Sequence, residues 1–563
     1  MMNTKSRRST AKVKTGCKTC KIRRVKCDEN KPSCLRCTST GRQCDGYPSP
    51  KKDYGVQVWQ ANQLESLGKA VSAYSGFGSG IHYLEFYHHC ARPRLSTAFD
   101  NEFWSRITLQ MALSEPSVRH ALIALGYLHS TETGSMRHAR SRFAGHHESK
   151  ILLFHYNKAV RSLVDRISET SYSPEIGLVT CLLFVCMEYL RGNYHTAFQH
   201  LTNGYKIISE YQKKQQLSRR TLSSTQSSPP SNTPIPTTFF PSAVIDDDLR
   251  PIFVRAVASA LMYGVEVDTT LDIPKPSLEY YQHLHIKSVR EAQLSAFELR
   301  NQAILTIRNL SRRIFHDCEH PLTPQERAEQ VLVLQCQRSW LSALEAYTKI
   351  QQLSTADHLT ISGLMTHYYA THIWVACAHE VRQSPFDDHL EGFQEILKHA
   401  LLILDSCKDL DTDQPTARFT FEISLIPALY FVATRCRCPT TRRQALELLS
   451  RNPPREGLWD AEQHVVVTRR VIEIEEEEVD STTGWPVERT RLWSSVIDAN
   501  MDQNGGFWAY FLPSCWVHEK TADGKQKLRQ EFFVISDSPP AVPPTPPASP
   551  FDRTSRRMLG PCV

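Results

Sequence analysis

The chain has 563 residues, 41% of them hydrophobic and 22% charged, and a net charge of +7. That is too apolar for a solvated tail and long enough for one large or two smaller packed domains. The opening MMNTKSRRSTAKVK holds no apolar run of the kind a secretory signal needs, so an oxidising compartment and a disulfide scaffold are not expected.

The first element is a repeat. Cys17, Cys20 and Cys27 follow the spacing C-x2-C-x6-C, and Cys34, Cys37 and Cys44 follow it again after six residues. Each half aims three thiolates at one point, one short of the tetrahedral sulfur shell that zinc prefers. Two tetrahedra need eight sulfur contacts, so six sulfurs suffice only if two cysteines each bridge both metals. The count predicts a binuclear cluster with two Zn2+ per chain. The spacing leaves Cys17/Cys34, Cys20/Cys37 and Cys27/Cys44 open as the bridging pair. Three disulfides conflict with the compartment, and a single zinc on four thiolates leaves an exposed pair to oxidise.

Residues 1–53 carry 15 Lys and Arg against four acidic residues, a net +11, so the remainder of the chain carries −4. Basicity is local, and six thiolates with two zincs subtract only about two charges. The partner expected of such a module is nucleic acid, specifically double-stranded DNA. KIRRVK between Cys20 and Cys27 lacks a helix breaker and predicts a short helix pinned by metal, narrow enough for a major groove about 12 Å wide. The matching stretch from Leu35 to Gln43 carries only Arg36 and Arg42, and is expected to rest on the DNA backbone or brace the first half. Ile22, Val25 and Leu35 are the only apolar residues the module could bury, so metal must supply its folding energy, on the order of 10 kcal/mol.

TGCKTCKIRRVKCDENKPSCLRCTSTGRQCDGY resembles the DNA-binding module of the fungal zinc binuclear cluster (Zn2Cys6) transcription factors in its six cysteines, its basic run and the Pro two residues before the fourth cysteine. The resemblance implies that Cys17 and Cys34 bridge, and that a cis peptide precedes Pro32. It assigns base reading to Arg24 with Arg23 alongside. Lys18, Lys21 and Lys26 are then phosphate contacts, and the same basic run can serve nuclear entry.

Residues 54–82 read as a flexible linker, without the three or four heptads a coiled coil needs. Pairing of two copies is therefore left to the helical body, if it occurs. From Tyr83 onward helical spacing dominates. Ser114, Glu115 and Pro116 predict a helix start with Val118, Ala121, Leu122, Leu125 and Leu128 on one face. Ile151 to Ile167 repeats that pattern through Leu152, Tyr156, Ala159 and Leu163. The apolar segment 178–190, LVTCLLFVCMEYL, is 13 residues long, too short to span a bilayer, and predicts a buried core helix rather than a membrane contact. Residues 83–211 form the first expected lobe and 246–535 the second, with a Ser/Thr/Pro-rich insert at 212–245 expected to be disordered. Thr323, Pro324 and Glu326 predict a capping box opening a helix through Val331, Leu334, Leu341, Leu344 and Tyr347. The Pro-rich tail 536–563 is expected to be extended.

Residues 423–462 are also similar to the carboxyl-terminal part of the helical regulatory domain of those factors, with an apolar helix, a Cys-Arg turn, an Arg-Arg helix start and REGLWDA. The acidic run Glu473 to Asp480 reads first as a solvated helix face and second as an activation segment that recruits coregulators; the Pro-rich tail is the other candidate for that role. The eleven cysteines outside the repeat, among them Cys181, Cys186, Cys436 and Cys438, read as reduced thiols packed like small hydrophobes. His88/His89 and His146/His147 complete no metal motif. No nucleophile elbow or phosphate loop occurs, so no catalytic residue is assigned and the chain is not expected to be an enzyme.

The expected fold is a small zinc-stabilised module with two short helices, followed by a mostly all-α regulatory domain. The expected function is that of a nuclear, sequence-specific regulator of RNA polymerase II transcription reading CGG-type triplets. The rival reading is a ligand-sensing or enzymatic helical protein with an accessory structural or RNA-binding zinc module.

Overall fold

The structure is a computed structural model that describes residues 17–23, 25–28, 30–31, 33–44, 80–95, 99–144, 150–224, 242–262, 275–316, 321–407, 416–498, 501–522 and 525–535. The chain divides into two compact units, residues 1–75 and 76–563.

Among its described residues the first unit has two short helices, Lys18–Ile22 and Leu35–Thr38. The first lies earlier than the sequence predicts, and Val25 to Asp28 are not helical. Geometry explains this: a helix advances 1.5 Å per residue, so carrying it from Cys20 to Cys27 would place the Cys27 sulfur about 10 Å away. Ile22 (79% exposed), Leu35 (61%) and Val25 (42%) point outward, contrary to expectation. The core of this unit consists of Cys17, Cys20, Cys27, Cys34 and Cys37, with Cys44 packed against it.

The second unit is mainly helical. Helix Pro174–Leu190 is buried at every position from Ile176 to Leu190, as its unbroken apolar sequence requires. It packs against helices Pro116–Thr131 and Tyr194–Ser224, and the former also packs on Lys150–Ile167. Among the described residues no helix is long and apolar enough to cross a membrane. Gly126 lets Pro116–Thr131 approach helix Ile81–Phe86 closely, because a Cβ there would strike the Tyr83 carbonyl oxygen. Helix Val289–His316 packs on Pro324–Ile350 and Thr355–Cys377, and Leu425–Arg435 packs on Pro439–Ser450.

The capping box forms: Glu326 N–H donates to Thr323 Oγ1 at 3.2 Å and Thr323 N–H to the Glu326 carboxylate at 2.8 Å. The face of that helix differs from the expected one. Val331 is exposed, and Val333, Cys336, Trp340 and Leu344 face the core. Ser114 does not cap the helix that follows; it closes helix Thr108–Ser114, and Glu115 precedes Pro116 without a side-chain cap. Ile167 is half exposed, because an apolar stripe spaced at three and four residues drifts off the core face over a helix of 18 residues.

The expected insert does not start at 212, since helix Tyr194–Ser224 runs through that position, and residues 242–245 lead into the π-helical turn Val244–Leu249. Residues 225–241 lie outside the described residues, as do His146/His147, the tail 536–563 and the linker before Gly80.

The body also holds a three-stranded antiparallel sheet, which the mostly helical reading did not anticipate. Strand Gly506–Pro513 lies between Leu492–Ile497 and Arg529–Val534. Its sequence GFWAYFLP is buried at six of eight positions, so covered faces erase the alternation that marks a strand. A short parallel pair, Phe419–Thr420 with Arg455–Glu456, ties REGLWDA to the chain before helix Leu425–Arg435.

Candidate metal centre and nucleic-acid interface

The repeat in the sequence is a repeat in the backbone. Val25 N–H donates to Cys20 O at 3.1 Å, and Arg42 N–H donates to Cys37 O at 3.0 Å, each five residues after the second cysteine of its half. These turns fold both halves around one group of sulfurs. Asp28, which the sequence reading did not single out, joins them: its carboxylate accepts from Leu35 N–H at 2.9 Å and Arg36 N–H at 3.1 Å, capping the second helix. Desolvation by its neighbours raises the exposed Asp28 carboxyl, but the amides of Arg36 and Leu35 outweigh it and hold the group below the ordinary aspartate value. The signal that could have revealed it is an Asp directly after the last cysteine of the first half.

The six sulfurs fall into two sets of four, Cys17/Cys20/Cys27/Cys34 and Cys17/Cys34/Cys37/Cys44, with the sulfurs of each set within 4.8 Å of one another. Cys17 and Cys34 belong to both. Their Sγ atoms lie 3.6 Å apart, with Cys20 to Cys34 at 3.6 Å and Cys17 to Cys37 at 3.8 Å. A tetrahedron with metal–sulfur bonds of about 2.3 Å has edges of about 3.8 Å, so the donor set fits zinc in both type and spacing. Cys20 and Cys37 lie 3.8 Å apart across the sets, which makes one continuous knot.

Burial pushes the Cys17 thiol up to about 12, and raises those of Cys20 and Cys34 as well. Thiolates here therefore call for a compensating cation, which a divalent metal supplies when bound. Backbone amides assist: Cys20 N–H points at Cys17 Sγ at 3.3 Å and Cys17 N–H at Cys27 Sγ at 3.4 Å.

Around this knot Lys18 and Lys26 are exposed, and Arg23 reaches Thr40 Oγ1 at 3.4 Å across the two halves. Lys21 lies in the first helix. Its side chain, Arg24 and Pro32 with its expected cis peptide lie outside the described residues.

Residues 15–54 match the fungal Zn(2)-Cys(6) binuclear cluster domain, and residues 82–243 match the fungal specific transcription factor domain. The chain carries the two domains of a fungal zinc binuclear cluster transcription regulator. Over 88% of its length this regulator is 23% identical to the aspercryptin biosynthesis cluster-specific transcription regulator atnN of Emericella nidulans, covering 92% of that protein. It is 30% identical to the transcription regulator lscL of Purpureocillium lilacinum, over 34% of this chain and 48% of that one. The transcriptional regulatory protein moc3 of Schizosaccharomyces pombe is 63% identical over 57 residues, 10% of this chain and 9% of that one. No solved structure matches. The matched domains are those of zinc-cluster transcription factors, and the three relatives are named as regulators of transcription.

The acidic run of the regulator is folded and paired. Glu475 is fully buried between Arg437 and Arg442 at 2.8 and 2.7 Å, and Glu473, Glu476, Glu477 and Glu478 pair with Arg470, Arg443, Arg529 and Arg489. Such a run is neither a purely solvated face nor a free activation segment.

Proposed function

We propose that the chain binds two zinc ions through Cys17, Cys20, Cys27, Cys34, Cys37 and Cys44, with Cys17 and Cys34 bridging, and reads CGG-type triplets in the major groove to regulate RNA polymerase II transcription in the nucleus. The observation that carries this reading is the pair of sulfur tetrads sharing Cys17 and Cys34 within a segment of net charge +11. Cross-linked sulfurs stand in for the absent apolar core. Lys18, Lys21, Arg23, Arg24 and Lys26 fall within nine residues of sequence beside this sulfur group, where cationic side chains can meet phosphates and base edges. The domain limits proposed are 1–53 for the DNA-binding module and, allowing for the observed helices, a regulatory body from residue 81 to 535.

Selection of bound sequences from a random duplex pool tests the reading. A GC-rich triplet should be enriched, and Arg24→Ala should cost about 1 to 3 kcal/mol on that site with little loss on random DNA. Equal losses on both would remove Arg24 from base reading, and preference for single strands would favour an RNA-binding accessory module.

A further inference from the structure

Helix Lys150–Ile167 carries more apolar surface than its place in the body uses. Its inward side holds Leu152, His155 and Ala159, all buried, and packs on helices Pro116–Thr131 and Pro174–Leu190. His155 Nδ1 lies 2.9 Å from His120 Nδ1, and Arg166 pairs with Glu115 at 3.2 Å, so the helix is fixed from within. A second stripe looks outward. Leu153, Val164 and Ile167 are 39%, 60% and 50% exposed, and Phe154 beside them is 57% exposed. These four side chains leave roughly 400 Å2 of apolar surface in water, the size of the largest patch a lone protein usually carries, and such patches mark contacts.

The stripe has a period. Leu153, Asn157, Val160, Val164 and Ile167 follow one another at intervals of four, three, four and three residues. That is the repeat of two helices whose side chains interlock, sustained here for two heptads. Two heptads are too few to fold and pair a free helix, but this one is already ordered by the body, so pairing does not bear that cost. Asn157 indicates which helix fits. It is exposed in the middle of the stripe, and its amide is best satisfied by a second amide at the same level. A parallel two-fold pair sets Asn157 against its own copy, whereas an antiparallel pair sets it against Val160. No stripe position from Leu153 to Ile167 is charged, and Lys158, Arg161 and Asp165 stand to one side, so two copies meet without opposed like charges. The two faces together, with Asn157 and Val160 included, cover about 1,000 Å2, the lower bound for a specific interface.

We propose that two copies of this chain pair through the outer stripe of helix Lys150–Ile167, side by side in parallel, with Leu153, Val160, Val164 and Ile167 interlocking and Asn157 meeting Asn157. The proposal stands apart from DNA reading, because the pairing is measured without DNA and its failure leaves the zinc cluster reading untouched.

The test is sedimentation velocity of the zinc-loaded full-length protein, without DNA, over a dilution series reaching about 50 µM, where an interface of this size should hold. The parent should pass from monomer to dimer across the series. Val164→Glu, which sets a charge in the stripe, should stay monomeric and melt at the temperature of the parent monomer, because an exposed side chain contributes little to the single copy. Asn157→Asp should weaken the dimer by about tenfold or more, because two carboxylates then face each other. A parent that stays monomeric, or a dimer that survives Val164→Glu, would overturn the proposal. So would a Val164→Glu monomer that melts several degrees lower, by showing that a segment of the same chain covers the stripe. An Asn157→Asp dimer as tight as the parent would sink the parallel register.

Discussion

Cys17 and Cys34 each stand in both sulfur tetrads, while Cys27 belongs to one. Loss of a shared sulfur opens both tetrahedra, and loss of an unshared one leaves the other closed. Native mass spectrometry of the full chain should therefore find Cys17→Ala without zinc and Cys27→Ala with a single ion. Equal loading of the two variants would refute the shared-ligand arrangement. At this scale the sequence was informative, because six cysteines within 28 residues name their own chemistry. Asp28 escaped notice because its place directly after Cys27 is its only mark in the sequence, and the fold brings it to the amides of Leu35 and Arg36.

Helices Pro439–Ser450 and Ala461–Glu475 and strand Leu492–Ile497 meet at Glu475, whose carboxylate pairs with Arg437 and Arg442 and accepts from Leu492 N–H at 2.9 Å. Glu475→Gln leaves two buried guanidinium groups short of charge, so the body should lose about 3 to 5 kcal/mol in urea unfolding. A loss within the range of ordinary surface substitutions would mean that water reaches the site. Burial alone would raise the Glu475 carboxyl, but Arg437 and Arg442 prevail and hold it below its usual 4.5. Its stabilising contribution is therefore full above pH 4.5, the unfolded-state value, and fades as the pH falls through the lower folded value. The parent should lose stability in that acid window, and Glu475→Gln should show a flatter profile there. The helices of this region were expected from the family resemblance over residues 423–462. The sheet was not, because strands covered on both faces lose their period of two.

For the molecule as a whole, the two units rest on different physics. Among its described residues the cluster unit has a core of sulfur and nine helical residues, five in Lys18–Ile22 and four in Leu35–Thr38. The body has a conventional apolar core. A strong zinc chelator should abolish retention of duplex DNA while leaving the far-UV circular dichroism of the full chain nearly unchanged. A large loss of helical signal would show that the body also depends on metal. The same division explains why the net charge of +7 misleads when spread over the chain: the +11 of residues 1–53 belongs to the unit that meets phosphate.

The grouping of the six cysteines, the charge segregation and the predominance of helix could be read in the primary structure, since each depends on residues near one another along the chain. The paired acidic run and the sheet could not. Arg255 meets Asp100 across 155 residues, and Arg455 donates to the Tyr189 carbonyl across 266. Contacts so distant are chosen by packing the assembled helices, because buried charges must find partners wherever the fold brings them, and no local spacing encodes that choice.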